Sequence, residues 1–273
     1  MTRRSVGRGS GPRVSAIGVR PRSAAALLLV SGVGALAYAW PFVVDADAAL
    51  GHSRDAPWLF VLLLPLLLAV VFAELAEGGM DVKAVALLGV LAAVGAALRP
   101  LGAGTAGFEP VFLLLFPAGR VLGRGFGFCL GAITLFASAL LTGTVDPLMP
   151  FQMLGAAWLG LGAACLPPAR GRAEVVLLAA YAAVGGIAYG ALLNLSFWPF
   201  ATYLRPGLSY VPGAGTAENL AHYAAFYLAT SLGWDLSRGV VLALLTAVTA
   251  RPVLLALRRA ARRAAFDAPV EFA

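Results

Sequence analysis

The chain has 273 residues, 60% of them hydrophobic and 12% charged, with a mean hydropathy of +0.87 and a formal net charge of +7. An average soluble domain carries about 25% charged residues, so this chain has too little charge to coat a water-soluble surface, and a soluble enzyme is excluded. The apolar residues fall in runs of about 20, the length that crosses a ~30 Å hydrocarbon core at ~1.5 Å per residue, which points to an all-α integral membrane protein.

Residues 1–23 hold Arg3, Arg4, Arg8, Arg13, Arg20 and Arg22 among Gly, Ser and Pro, with no acid. That composition predicts a disordered basic arm. Apolar runs follow at 24–43, 57–75, 82–98, 109–122, 125–142, 150–167, 173–197 and 221–250. The arginine-rich start, with small residues at Ala35, Ala37 and Ala39, also fits a cleavable signal peptide, a reading that leaves the sides of the later loops unchanged. The fourth run is short and contains Pro110 and Pro117, which predicts a tilted or broken helix. The last run is interrupted by Asp235 and Arg238. It predicts an outer helix over 219–233 feeding a span over 236–257, and residues 258–273 form a basic tail.

Eight spans put both termini on one side. With the N-terminus cytoplasmic, 16 of the 20 Lys and Arg fall on inner segments, and only Arg54, Arg99, Arg205 and Arg238 fall outside. The positive-inside rule therefore predicts a multi-pass protein of the cell membrane with both termini cytoplasmic. The net charge is a sidedness and not a nucleic-acid patch, which would need basic residues gathered on one soluble face.

Small residues recur at four-residue spacing, which lines them along one helix face. The ridges are Gly89–Ala93–Ala97, Gly123–Gly127–Gly131, Ala156–Gly160–Ala164 and Ala182–Gly186–Gly190. Such ridges allow close helix approach inside a bilayer, and one of them can instead serve a partner protein. Polar residues within the apolar runs are few: Glu109, Gln152, Asn194, Asp235 and Arg238. All five are expected at the outer ends of their spans, in company with Phe108, Phe151, Trp158, Phe197, Trp198, Tyr223, Phe226, Tyr227 and Trp234. For the Trp and Tyr residues the competing reading is the interfacial belt, and for Asp235 and Arg238 an i,i+3 ion pair. Together they describe a small-molecule pocket, apolar and aromatic with a few placed polar groups. Two Gly-rich outer segments, 99–107 and 199–218, are candidate lids.

No catalytic signature accompanies the pocket. Gly102, Gly104 and Gly107 match GxGxxG formally, but a membrane helix precedes them where a strand is required. There is no P-loop and no HExxH, and His52 and His222 lie far apart. Cys129 and Cys165 sit within apolar runs without the paired spacing of a zinc site. No cofactor, metal site or enzymatic activity is expected of this chain.

Residues 80–257 resemble the substrate-binding S components of energy-coupling factor (ECF) vitamin transporters, in their dedicated actinobacterial form. The resemblance rests on Asp81-Val82-Lys83 with the apolar run to Pro100, on 104–115, 118–132 and 150–162, on 188–198 and on 227–238, in that order and spacing. It implies a six-helix bundle that binds a vitamin near the outer side and docks on a transmembrane coupling protein driven by two ATPases. It further implies that small residues on the first family helix face the coupling protein, for which Ala92 with Ala96, or Ala93 with Ala97, fit. The departure is 24–79, two transmembrane helices added before the bundle.

The expected function is therefore capture of a vitamin or related micronutrient, a corrinoid by preference, by the membrane subunit of an importer. The substrate would lie among Gly104, Thr105, Gly107, Phe108, Glu109, Gln152, Trp158, Asn194, Trp198, Tyr223 and Tyr227. The alternatives are a stand-alone secondary transporter, which should show inverted repeats and midplane charges, and a membrane scaffold without a ligand.

Overall fold

A computed structural model describes residues 21–43, 57–77, 80–102, 107–201 and 203–264. The described residues are helical, with no strand among them. The helices are α1 (Pro21–Val43), α2 (Pro57–Glu77), α3 (Val82–Leu98), α4 (Leu115–Leu122), α5 (Arg124–Thr142), α6 (Met149–Cys165), α7 (Gly171–Phe197), α8 (Thr216–Thr230) and α9 (Leu232–Ala264). Five stretches are long and apolar enough to cross a membrane: Pro21–Val43, Val82–Gly102, Arg124–Thr142, Gly171–Phe200 and Leu232–Arg263. Leu63–Ala73, Pro110–Leu122 and Met149–Cys165 are shorter apolar helices. The chain is an all-α membrane protein, and its helices coincide with the expected apolar runs. The last run divides into α8 and α9, but at Ser231 and not at its charges: Asp235 and Arg238 lie within the first two turns of α9, which continues to Ala264.

Local chemistry explains the helix boundaries. Asp81 caps α3 by accepting a hydrogen bond from the Ala84 amide at 2.8 Å. The fourth run is broken as expected: Pro110–Phe112 forms a 3₁₀ turn, and α4 starts at Leu115. Pro117 does not break α4 because it is the third residue of that helix, where backbone amides have no intrahelical acceptor to lose. Gly123, at φ 108°, joins α4 to α5 in a conformation costly to any residue with a Cβ.

Every residue of α4 is buried, so this short helix is the axis around which the longer ones pack. Two of the four small-residue ridges meet each other. Gly127 of α5 and Gly160 of α6 approach so closely that a Cβ on either would strike the other's carbonyl, and Gly131 meets Ala156 in the same way. The α7 ridge packs on α9, with Gly186 against Leu242 and Gly239, and Gly239 against the Ala183 carbonyl. In a bilayer no hydrophobic effect pulls helices together, so these backbone-to-backbone contacts supply the dispersion that does. The fourth ridge is different. Gly89, Ala93 and Ala97 lie on an exposed face of α3, while Ala92 and Ala96 point inward and are buried.

The added helices α1 and α2 pack together and against α5 and α6. The Tyr38 hydroxyl donates to the Phe151 carbonyl at 2.9 Å, and the Trp158 indole N–H donates to Ser31 Oγ at 3.0 Å. Gly34 makes the notch that admits the Leu154 side chain. At its last turn α1 reaches α8, where the Thr216 hydroxyl donates to the Phe42 carbonyl at 2.9 Å.

Candidate functional site

The polar groups of the bundle gather at its two ends. At one end Glu174 of α7 and Arg120 of α4 form an ion pair at 3.1 Å, and both are 2% exposed. Arg258 of α9 joins the same Glu174 oxygen at 2.6 Å. Arg120 also donates to the carbonyls of Leu166 and Pro167 at 2.6 and 2.9 Å. Its Nε and both of its terminal nitrogens are thus engaged, and the triad ties α4, α6, α7 and α9 together.

The opposite end holds a cavity of about 340 Å³. It is walled by the end of α3, the Pro110–Phe112 turn, α5, α6 and α7, and Arg99, Glu109, Thr142, Gln152 and Tyr189 bring polar groups to it. Arg99 donates through Nη1 to Ser138 Oγ and through Nη2 to Gln152 Oε1, each at 2.8 Å. The Ser138 hydroxyl donates to the Leu135 carbonyl at 2.8 Å, which leaves its lone pairs for the arginine. Tyr189 packs edge-on against Phe112, with ring centroids 4.9 Å apart.

A second polar network adjoins the cavity through Glu109. Arg238 donates through Nε to Glu109 Oε1 at 2.7 Å and through Nη1 to Asp235 Oδ1. Asn194 donates to the Gly190 carbonyl at 2.8 Å, lies 3.5 Å from Asp235 Oδ2, and accepts from the Ser231 hydroxyl at 2.8 Å. Gly190 is what makes room for this ion pair, since a Cβ there would run into Asp235 and Arg238. Gly107, at φ 75°, rests on the α9 backbone at Ser237 and Arg238, so the segment entering the site is held against α9. The Tyr227 hydroxyl is enclosed beside Asp235 without meeting hydrogen-bond geometry. Burial first, and then the Asp235 carboxylate, push its ionisation up to about 12, so it keeps its proton.

The residues expected to form one site therefore divide. Glu109 and Gln152 line the cavity, and Asn194 stands in the adjoining network. Gly107 and the half-buried Phe108 lead into the cavity wall, while Gly104 and Thr105 lie outside the described residues. Trp198 and Tyr223 belong to an aromatic cluster instead. Trp198 is fully buried, donates to the Leu208 carbonyl at 2.7 Å, and touches Phe42, Tyr210 and Tyr223. Tyr223 is tied to the Ala191 carbonyl at 2.5 Å and stacks on Tyr227. Trp158 faces α1, its ring 5.7 Å from Tyr38. These three aromatics hold the helices together and do not line the cavity.

Arg99, Ser138 and Tyr189 were not among the expected site residues. Arg99 stands at the head of the expected lid and was counted only as an outer charge. A readable signal was there: Ser138 and Thr142, one turn apart near the end of an apolar run, mark a polar stripe on α5 that needs a partner. Glu174 was equally legible as the only acid between Asp146 and Glu218. No group of three or more His, Cys, Asp or Glu is placed to hold a metal ion among the described residues.

No family model, no curated protein and no solved structure matches this chain.

Proposed function

We propose that the chain is the substrate-capturing subunit of an ECF-type importer in a bacterial cell membrane. It takes up a vitamin or related micronutrient at the Arg99 end, which faces outward, and passes it to a coupling protein driven by two ATPases. The observation that carries this reading is the cavity, where polar groups from five elements converge at the end of an otherwise apolar bundle. Ligand pockets commonly span about 300–1,000 Å³. At about 340 Å³ this one favours a compact ligand over a corrin macrocycle. The exposed Gly89–Ala93–Ala97 ridge gives the coupling protein a surface for close helix contact, and α1 with α2 covers the α5–α6 side.

The test is reconstitution. Proteoliposomes holding this chain with its coupling protein and ATPases should accumulate a labelled vitamin only when ATP is supplied. Accumulation by this chain alone under an ion gradient would replace the proposal with a secondary transporter.

A further inference from the structure

We infer that the molecule captured in the cavity bears an anionic oxygen group, a carboxylate or a phosphate, which docks on Arg99. The inference rests on the capture reading above and gives the ligand its chemical class.

Among the described residues, four arginines hold their guanidinium groups against other side chains, and three of them have carboxylate partners. Arg120 and Arg258 share Glu174, and Arg238 holds Glu109 and Asp235. Arg99 is the exception. Its hydrogen bonds go to two uncharged oxygens, Ser138 Oγ and Gln152 Oε1, and among the described residues no carboxylate lies within ion-pair distance of it. The acid that shares the cavity wall, Glu109, is already bound to Arg238 through Oε1.

A guanidinium carries five N–H donors in a planar fork. Ser138 and Gln152 take one each and hold the plane in place, so the donors that remain serve a ligand. Because Gln152 turns its oxygen to Arg99, its amide nitrogen is left as a further donor. The hydroxyls of Thr142 and Thr144, 2.8 Å apart, stand on the same wall but are already engaged, Thr142 donating to the Ser138 carbonyl at 2.7 Å and Thr144 to Thr142. A fixed fork on neutral supports, with an amide nitrogen beside it, is the recognition chemistry of carboxylate and phosphate.

The experiment uses the full chain, purified in detergent and also in nanodiscs of phosphatidylcholine alone, and titrates probes paired by charge. The pairs are nicotinate with nicotinamide, biotin with biotin amide, and pyridoxal phosphate with pyridoxal. Small molecules that co-purify are identified by mass spectrometry. At least one anionic member should bind with micromolar affinity, and its neutral counterpart about 30-fold more weakly, as expected for loss of a charge-assisted hydrogen-bond pair. Arg99→Gln should remove that preference, and Arg99→Lys should restore part of it, which separates a lost contact from a lost fold.

Equal binding of neutral and anionic members, with no effect of Arg99→Gln, would overturn the anion inference and leave the capture reading intact. If no probe binds and no small molecule co-purifies, both are overturned. If phospholipid is the only anion retained, released by phosphatidylglycerol vesicles and by none of the soluble probes, the headgroup is the ligand and the inference about a captured solute is overturned.

Discussion

Arg120 and Arg99 stand at opposite ends of the same bundle, the first buried and the second half-buried, and their partners differ. Arg120 is wrapped by a carboxylate and two carbonyls and has no room for anything else. Arg99 is propped by a hydroxyl and an amide beside an open cavity. A saturated guanidinium cross-links helices, whereas a supported but uncompensated one is available. The contrast separates the part of the polar inventory that builds the fold from the part left over for recognition, although both arginines sit in apolar sequence.

Substitutions can break or sharpen this contrast. Glu174→Ala should have the largest effect, because it strands Arg120 without its counter-charge, at a cost of about 3–5 kcal/mol. Thermal unfolding in detergent would register the loss, and Arg120→Met combined with Glu174→Leu should recover much of it, since an apolar replacement of a buried pair is often neutral. Gly160→Val comes next. Its side chain meets the Gly127 carbonyl and forces α5 from α6, costing about 1–3 kcal/mol in the same assay. Arg99→Met should cost about 1.5 kcal/mol, the low end of the worth of a hydrogen bond to a charged group, while removing anion binding at the cavity. A loss as large as that of Glu174→Ala would erase the distinction between the two ends. The smallest stability change belongs to Ala93→Leu on the exposed face of α3, within about 0.5 kcal/mol. It should nevertheless block transport in the reconstituted complex, whereas Ala92→Leu, on the buried face, should lower the melting temperature.

Much of the fold was legible in the sequence because the bilayer imposes a length and α3, α4 and α5 stop at Arg99, Gly123 and Gly143. Three of the four small-residue ridges pack within the chain, and four-residue spacing alone found them. That spacing could not say which ridge faces outward, nor choose Ala93 over Ala92, because both pairs repeat identically and only packing against α5 separates them. The polar residues near span ends were also legible, and Glu109, Gln152 and Asn194 do meet at one end. Partner choice was not. Trp158 and Trp198 read as ligand-stacking aromatics, yet their indole N–H groups are claimed by Ser31 and the Leu208 carbonyl. Those partners stand 127 and 10 residues away, and no local pattern announces them. Arg99 was hidden for the opposite reason: a charge at a loop edge looks like an orientation signal until the hydroxyl and amide that prop it are seen.

The docking of α1 has a consequence in time. Its hydrogen bonds reach partners 113, 127 and 174 residues further along the chain. At a synthesis rate of about 5–20 residues per second, α1 waits roughly 6–25 seconds for Trp158 to be made. During that interval α2 is the partner already synthesised. The α1–α2 hairpin is thus seated only after α6 is made, and the notch at Gly34 stays empty until α6 arrives to fill it.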